Sequence, residues 1–346
     1  MSENRISDPK AFAEFMLVKT SRTFALNIQV LPLGLRRQVL LSYLFCRMAD
    51  TLEDDTELAQ DQKIQLLHSF KNIFSSQTDW ESRVARFLAD LPTEWTHSTS
   101  RWDRLLVVQS ATIFPQLFEF SESVVAAISN CICEMCDGMI EFTVRANAIL
   151  ILSIEDLDKY CYYVAGTVGN LLSQLFVIHS PLISQKKAKQ LNALSVSFGL
   201  GLQLTNILKD IEDDRSRNVS YIPQFLLAVQ NLSTENFSNP LYKPQSRKIM
   251  TQLLLKAKSH LADALAYTCL LPRMEPRLRL FCLWPLFMAL ETLSVLADPN
   301  QTENKISRKR VSRIVLKTSL ACGSNTWLRS MFNASLAEFN QQLEKK

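Results

Sequence analysis

The chain has 346 residues, 47% of them apolar and 21% charged, with a formal net charge of +4. This is an ordinary globular composition, long enough to bury a sizeable core in one large domain or two average ones. So small and evenly spread a positive charge leaves no electrostatic footprint for nucleic acid, and only 7 glycines suit a helical protein with few tight turns.

Nearly every segment repeats its apolar residues at three-to-four spacing rather than alternating. Asp8-Pro9 opens a helix through Val18, with Asp as cap and Pro at the first helical position. Ser21 to Phe24 and a Leu-Pro break at 31–32 follow, and then a long helix from about 35 into an acidic end. Further helices are predicted at 60–75, 79–90, 101–118 and 121–146. The next begins near Glu155 and passes through Tyr160 to about His179, and another covers 185–213. The remainder reads as helix at 244–270, 276–297, 306–320 and 325–344. With no repeat, low-complexity tract or strand-rich block, the expected fold is all-α: a single large helical bundle with a central cavity, one domain over residues 1–346.

Eight cysteines, at 46, 131, 133, 136, 161, 269, 282 and 322, follow no disulfide framework, and the N-terminus lacks a signal-peptide core. Reduced, mostly buried thiols in a cytoplasmic protein are expected. Cys131-x-Cys133-x-x-Cys136 has no second pair at zinc-ligand spacing. The longest apolar run, 280–290, is interrupted by Pro285 and stopped by Glu291, short of the roughly 20 residues a membrane span needs, so no transmembrane helix is predicted. Five glycines fall between 138 and 201 (Gly138, Gly166, Gly169, Gly199, Gly201) inside predicted helices. Each costs about 1 kcal/mol against alanine there, which implies close approach of a neighbouring backbone or of a ligand.

Two acidic stretches carry the functional argument. The long helix that opens the chain's middle ends in Asp50, Glu53, Asp54 and Asp55. Residues three and four apart share one helical face, so Tyr43, Arg47, Asp50 and Asp54 form a row with Glu53 beside it. The helix at 185–213 carries Gln203, Asn206, Asp210 and Asp214 at the same spacings. Each stretch alone could be a solvated helix end. Together they suggest inward-facing acids on facing helices of a bundle, holding Mg²⁺, which prefers one or two carboxylates completed by substrate phosphates. Lys209, Arg215 and Arg217 by one stripe, and Arg22 and Arg47 by the other, are donors suited to phosphate. Neutralising a diphosphate makes it a leaving group, and the apolar bundle faces would suit an isoprenoid chain.

Four blocks resemble the squalene/phytoene synthase family of head-to-head prenyl synthases. They are Ser21-Arg-Thr-Phe-Ala25; Tyr43 to Asp55; Tyr160-Cys-Tyr-Tyr-Val-Ala-Gly-Thr-Val-Gly169; and Gln203 through Asp214 with Tyr221-Ile-Pro-Gln. A weaker block, Phe281 to Leu290, extends the likeness to about residue 297. The resemblance implies that Asp50, Glu53, Asp54, Asp210 and Asp214 bind Mg²⁺ and the diphosphates of two farnesyl diphosphates. It makes Tyr160, Tyr43, Arg47 and Phe24 catalytic, and Ser21, Arg22, Arg47, Gln203, Asn206, Lys209, Arg215 and Arg217 substrate-binding. The implied path runs through presqualene diphosphate to NADPH-dependent reduction, with Arg22, Arg47, Lys305 and Arg308 as cofactor-binding candidates, although no dinucleotide motif is present. Asp-Thr-Leu-Glu-Asp-Asp is closer to the members that make squalene; Thr167 and Tyr-Ile-Pro lean toward those that make phytoene or dehydrosqualene without a hydride. A monomer is expected, with peripheral membrane contact because the product is a hydrocarbon and the anchoring tail of eukaryotic members has no counterpart. A non-catalytic assembly factor of the same fold is the reading from another class, and retention of both acidic stretches argues against it.

Overall fold

The computed structural model describes residues 8–21, 24–76, 78–93, 95, 100–145, 151–300 and 304–345. Among the described residues there are sixteen α-helices and no strand. They group into two compact units, residues 1–146 with 174–179 and residues 147–173 with 180–346.

The first unit contains α1 (Pro9–Thr20), α2 (Phe24–Val30), α3 (Leu33–Asp54), α4 (Gln60–Ile73), α5 (Trp80–Asp90), α6 (Arg101–Val108), α7 (Ser110–Ile113) and α8 (Glu122–Arg145). Asp8 caps α1 as its sequence demands, accepting the amides of Lys10 and Ala11 at 3.4 and 3.0 Å. α3 is the organising element. Leu35, Leu41, Leu44, Phe45, Met48 and Leu52 are fully buried along it, and it packs on α1, α4, α6 and α8. Phe45 meets the rings of Phe114 at 4.9 Å and Phe74 at 5.1 Å, and Phe70 meets Phe87 at 5.4 Å. Interlocked aromatics of this kind hold α3 rigidly, so its acidic end has a fixed position. The helix expected over 101–118 is broken: it ends at Val108, resumes as α7, and continues as a 3₁₀ turn over Phe114–Glu119. Pro115 lacks the N–H an unbroken helix would need there.

The second unit contains α9 (Ile154–Cys161), most of α10 (Thr167–His179), α11 (Gln185–Ser216), α12 (Gln224–Val229), α13 (Lys243–Leu270), α14 (Pro276–Ala297), α15 (Arg308–Ala321) and α16 (Asn325–Glu344). α9 and α10 are one helix wound through a π-turn over Tyr162–Gly166. The glycines explain how α11 sits against it. A Cβ on Gly169 would lie 2.2 Å from the Ser195 carbonyl oxygen, and one on Gly199 2.3 Å from that of Ala165. On Gly201 it would press on His260 of α13. Close helix packing therefore accounts for these positions. α14 runs through Pro285 without breaking and buries Leu283, Leu286, Leu290 and Leu293 completely.

All eight cysteines are free, six of them buried. By length and composition, four helical stretches among the described residues are apolar enough to cross a membrane: Glu122–Arg145, Ile154–His179, Gln185–Ser216 and Pro276–Ala297. This corrects the run-length expectation, which demanded an unbroken apolar stretch where mean hydropathy over a helix suffices. In Pro276–Ala297 most of the apolar window, 78%, is buried inside the protein.

Candidate active site

The first acid stripe is built on the last two turns of α3. Tyr43 packs its ring 5.7 Å from Phe24 and donates its hydroxyl to Thr20 Oγ1 at 3.4 Å. Ser21 Oγ accepts the Ala25 amide at 3.1 Å, so this residue starts α2 and thereby places Phe24 against Tyr43. Burial raises the Tyr43 phenol above its ordinary value, against the opposing pull of Thr20, Arg47 and Ser21, so it stays protonated at neutral pH.

Arg47 is not an open cation. Its Nε and Nη2 form a fork on the two carboxylate oxygens of Asp103, both at 2.8 Å. Asp103, on α6, has a side chain only 6% exposed. Its hydrogen bonding to Asp103 stabilises the charged guanidinium further. Nothing in the local sequence of α3 signals this partner, which lies 56 residues away.

One turn on, Asp50 is half-buried, and burial lifts its carboxyl to about 7, with Arg47 opposing and Asp54 and Asp103 adding to the rise. Glu53 is pushed well above its ordinary value by burial and then by Asp54 and Asp50. Among the described residues neither accepts a side-chain hydrogen bond. Lys63 comes near but gives its ammonium to the Glu53 carbonyl at 2.6 Å, and burial lowers its own pKa. Asp55, next in sequence, does something else. It is wholly buried and accepts the amides of Glu57 and Leu58 at 2.8 and 3.2 Å and the Trp95 indole N–H at 2.5 Å. Asp55 is a turn-forming residue, and Asp103, Lys63 and Trp95 are participants that sequence spacing could not reveal.

The second stripe lies on the C-terminal half of α11. Asp210 pairs with Lys209 at 3.1 Å, and Lys209 also donates to Asn206 at 3.2 Å. Asp214 is buried and receives Arg217 at 2.5 Å. Arg215 turns to Glu212 at 2.6 Å. Gln203 is half-buried and makes no side-chain hydrogen bond among the described residues. Tyr160 is brought to this end of the helix through Tyr221: the rings stack at 4.7 Å and the Tyr160 hydroxyl donates to Tyr221 at 3.0 Å. Tyr221, Asp214 and Arg215 line one small pocket with Ile207, Ile211 and Phe237. Asn304 donates to the Lys209 carbonyl at 3.3 Å, which sets the adjacent Lys305 beside this stripe. Lys305 and Arg308 are both exposed, and Arg22 lies outside the described residues.

Among the described residues no three His, Cys, Asp or Glu side chains converge to hold a metal unaided. The residues nevertheless fit a divalent cation. Asp50 and Glu53 are hard oxygen donors whose charge is disfavoured by burial and by each other, and Mg²⁺ takes one or two carboxylates and completes its shell with water and substrate oxygen.

Comparison with known proteins gives a consistent picture. The model of the family described as "Squalene/phytoene synthase" matches residues 17–315. The squalene synthase of Schizosaccharomyces pombe is 31% identical over 313 residues, covering 87% of this chain and 63% of that protein. The squalene synthase of Homo sapiens is 29% identical over 304 residues, covering 87% of this chain and 67% of that one. The chain thus spans about two thirds of the length of these relatives. Among solved structures, TcSQS in complex with a ligand superposes with a TM-score of 0.75 at 22% identity, covering 97% of this chain and 99% of that one. A dehydrosqualene synthase does so with 0.62 at 19% identity, covering 94% and 97%. These two likenesses establish the all-helical isoprenoid-synthase fold.

Proposed function

The chain belongs to the squalene/phytoene synthase family, and from that premise we propose that it is a squalene synthase, a farnesyl-diphosphate farnesyltransferase coupling two farnesyl diphosphates head to head. The observation that carries this reading is the Asp50–Glu53 pair, half-buried carboxylates that burial drives toward the neutral form and that make no ion pair among the described residues. The relatives of known activity from fungi and animals support the choice of squalene over other products. All 346 residues are taken as one catalytic domain, cytoplasmic, monomeric and in peripheral contact with a membrane.

Asp50, Glu53 and Asp54, and separately Asp210 and Asp214, would hold magnesium. When bound, it supplies the Lewis acidity that neutralises a departing diphosphate. The chain's own residues do the rest. Lys209 and Arg217 exchange their carboxylate partners for diphosphate oxygens, Arg215 adds a further donor, and Asn206 and Gln203 orient the chain-bearing end. Arg47, held planar by Asp103, presents its remaining N–H edge. The rings of Phe24 and Tyr43 offer π-faces to allylic cationic charge. Tyr160, its hydroxyl oriented by Tyr221, guides the proton lost in forming presqualene diphosphate. NADPH would supply a hydride in the second half-reaction, with Lys305 and Arg308, and Arg22, as the cations offered to its phosphates.

The test is to incubate the purified protein with farnesyl diphosphate and magnesium, with and without NADPH, and to identify the product. Presqualene diphosphate should accumulate until NADPH is added and then pass to squalene. Dehydrosqualene or phytoene formed regardless of NADPH would replace this reading by the hydride-free one.

A further inference from the structure

α15 carries four cations that the proposed reaction does not use, Lys309, Arg310, Arg313 and Lys317. At about 100° per residue, Lys309, Arg313, Leu316, Lys317 and Leu320 fall on one narrow face. All five are exposed, with Leu316 at 63% and Leu320 at 65%. Thr318, on the opposite face, and Ala321, at its edge, are buried where α15 packs on α14 and α16. Arg310, just off the exposed face, is paired with Glu291 at 2.8 Å. Among the described residues Lys309, Arg313 and Lys317 have no acidic partner at all. The next helix adds Trp327, 50% exposed, only seven residues beyond Leu320.

A solvated helix face needs charge but has no use for two large leucines exposed among its cations. A protein-binding apolar patch, conversely, would exclude unpaired lysines from its centre. Interleaved cations and leucines suit a surface whose outer layer is anionic and whose next layer is hydrocarbon. Lysine and arginine stems can reach up to the charged layer while the leucines enter below it. We propose that the Lys309–Leu320 face of α15 docks the protein on an anionic lipid bilayer, lying in the interface without crossing it. This inference rests on the peripheral membrane contact proposed above, to which it gives a surface, and does not depend on which prenyl product is made.

Flotation of the full chain with vesicles tests it, because binding is read independently of turnover. Vesicles of phosphatidylcholine containing phosphatidylserine should bind the protein, and phosphatidylcholine alone should bind it far more weakly. Each cation near an anionic surface is worth roughly fivefold in binding. The triple variant Lys309→Gln/Arg313→Gln/Lys317→Gln should therefore lose on the order of a hundredfold, and added salt should imitate the loss. Leu316→Ser/Leu320→Ser should weaken binding even at low salt, with the same thermal unfolding as the parent, since both side chains are exposed. Equal binding to both vesicle types, or either variant binding as the parent does, overturns the proposal. So does failure of the parent to bind any vesicle, an outcome that would assign the face to an acidic protein instead.

Discussion

Asp50 and Asp55 lie five residues apart in one acidic run and have opposite physical situations. Asp55 is buried with three N–H donors aimed at it; Asp50 is half-buried with none among the described residues. Spacing places both in the run but cannot tell them apart, because the deciding donor, Trp95, is forty residues away. Replacing Asp55 by alanine should leave the Trp95 indole and the Leu58 amide unpaired in the interior, each costing about 1–3 kcal/mol, and should unfold the protein at markedly lower urea. For Asp50 the sign is reversed. Its folded-state pKa, about 7, stands above the unfolded value of 3.8. The native state then holds a proton that the unfolded chain has released, so stability falls as pH rises from about 4 to about 7. Asp50→Asn removes that penalty. Without magnesium the variant should match the parent near pH 4 and exceed it at pH 8 by on the order of 2 kcal/mol, the full shift being discounted for partial solvent access. Urea melts at the two pH values decide it; a variant less stable than the parent at pH 8 would show that the carboxylate is already compensated.

Helices were far more legible than their partners. The 3.6-residue period located α3, α4, α8, α11, α13, α14 and α16 to within three residues, because each buries a continuous apolar stripe. It missed α2 and α12, six or seven residues long, too short to show a period, and the breaks at Gln109 and in the π-turn, which depend on packing. The glycine cluster was visible as a cost with two open causes, backbone or ligand, and for Gly169 and Gly199 the cause is the approach of α11 to the α9–α10 helix, for Gly201 that of α11 to α13. Gly169→Ala and Gly199→Ala would each drive a methyl into a backbone carbonyl that no rotamer change can move. Each should lower stability by about 3 kcal/mol, at the upper end for overpacking. Gly34→Ala in α3 is the control. A Cβ there meets nothing within 4 Å, so helix propensity alone operates, and the substitution should stabilise by up to about 1 kcal/mol. Thermal melts of the three variants should separate them without ambiguity.

At the scale of the whole molecule, each compact unit carries one acid stripe, and the two are not chemically equivalent. Among the described residues Asp50 and Glu53 in the first unit make no ion pair, whereas Asp210 and Asp214 in the second are already paired with Lys209 and Arg217. Sequence spacing makes the stripes look like twins; the difference lies in where the neighbouring lysine and arginines turn. A cation added to the substrate-free protein gains most where like charges repel and least where it must displace an ammonium or guanidinium. Magnesium should therefore bind first to the α3 stripe, with release of the proton that Asp50 retains near neutral pH. The α11 stripe should take magnesium only when a diphosphate arrives to receive Lys209 and Arg217. Titration calorimetry of magnesium into the substrate-free chain, in two buffers of different ionisation enthalpy, reads both binding and proton release. Asp50→Asn should abolish or strongly weaken this binding. Asp210→Asn should leave it unchanged, although both variants should lose turnover with farnesyl diphosphate. If the Asp210 variant alone lost substrate-free magnesium binding, the stripes would have exchanged roles, and the assignment of α3 as the resident cation site would fail.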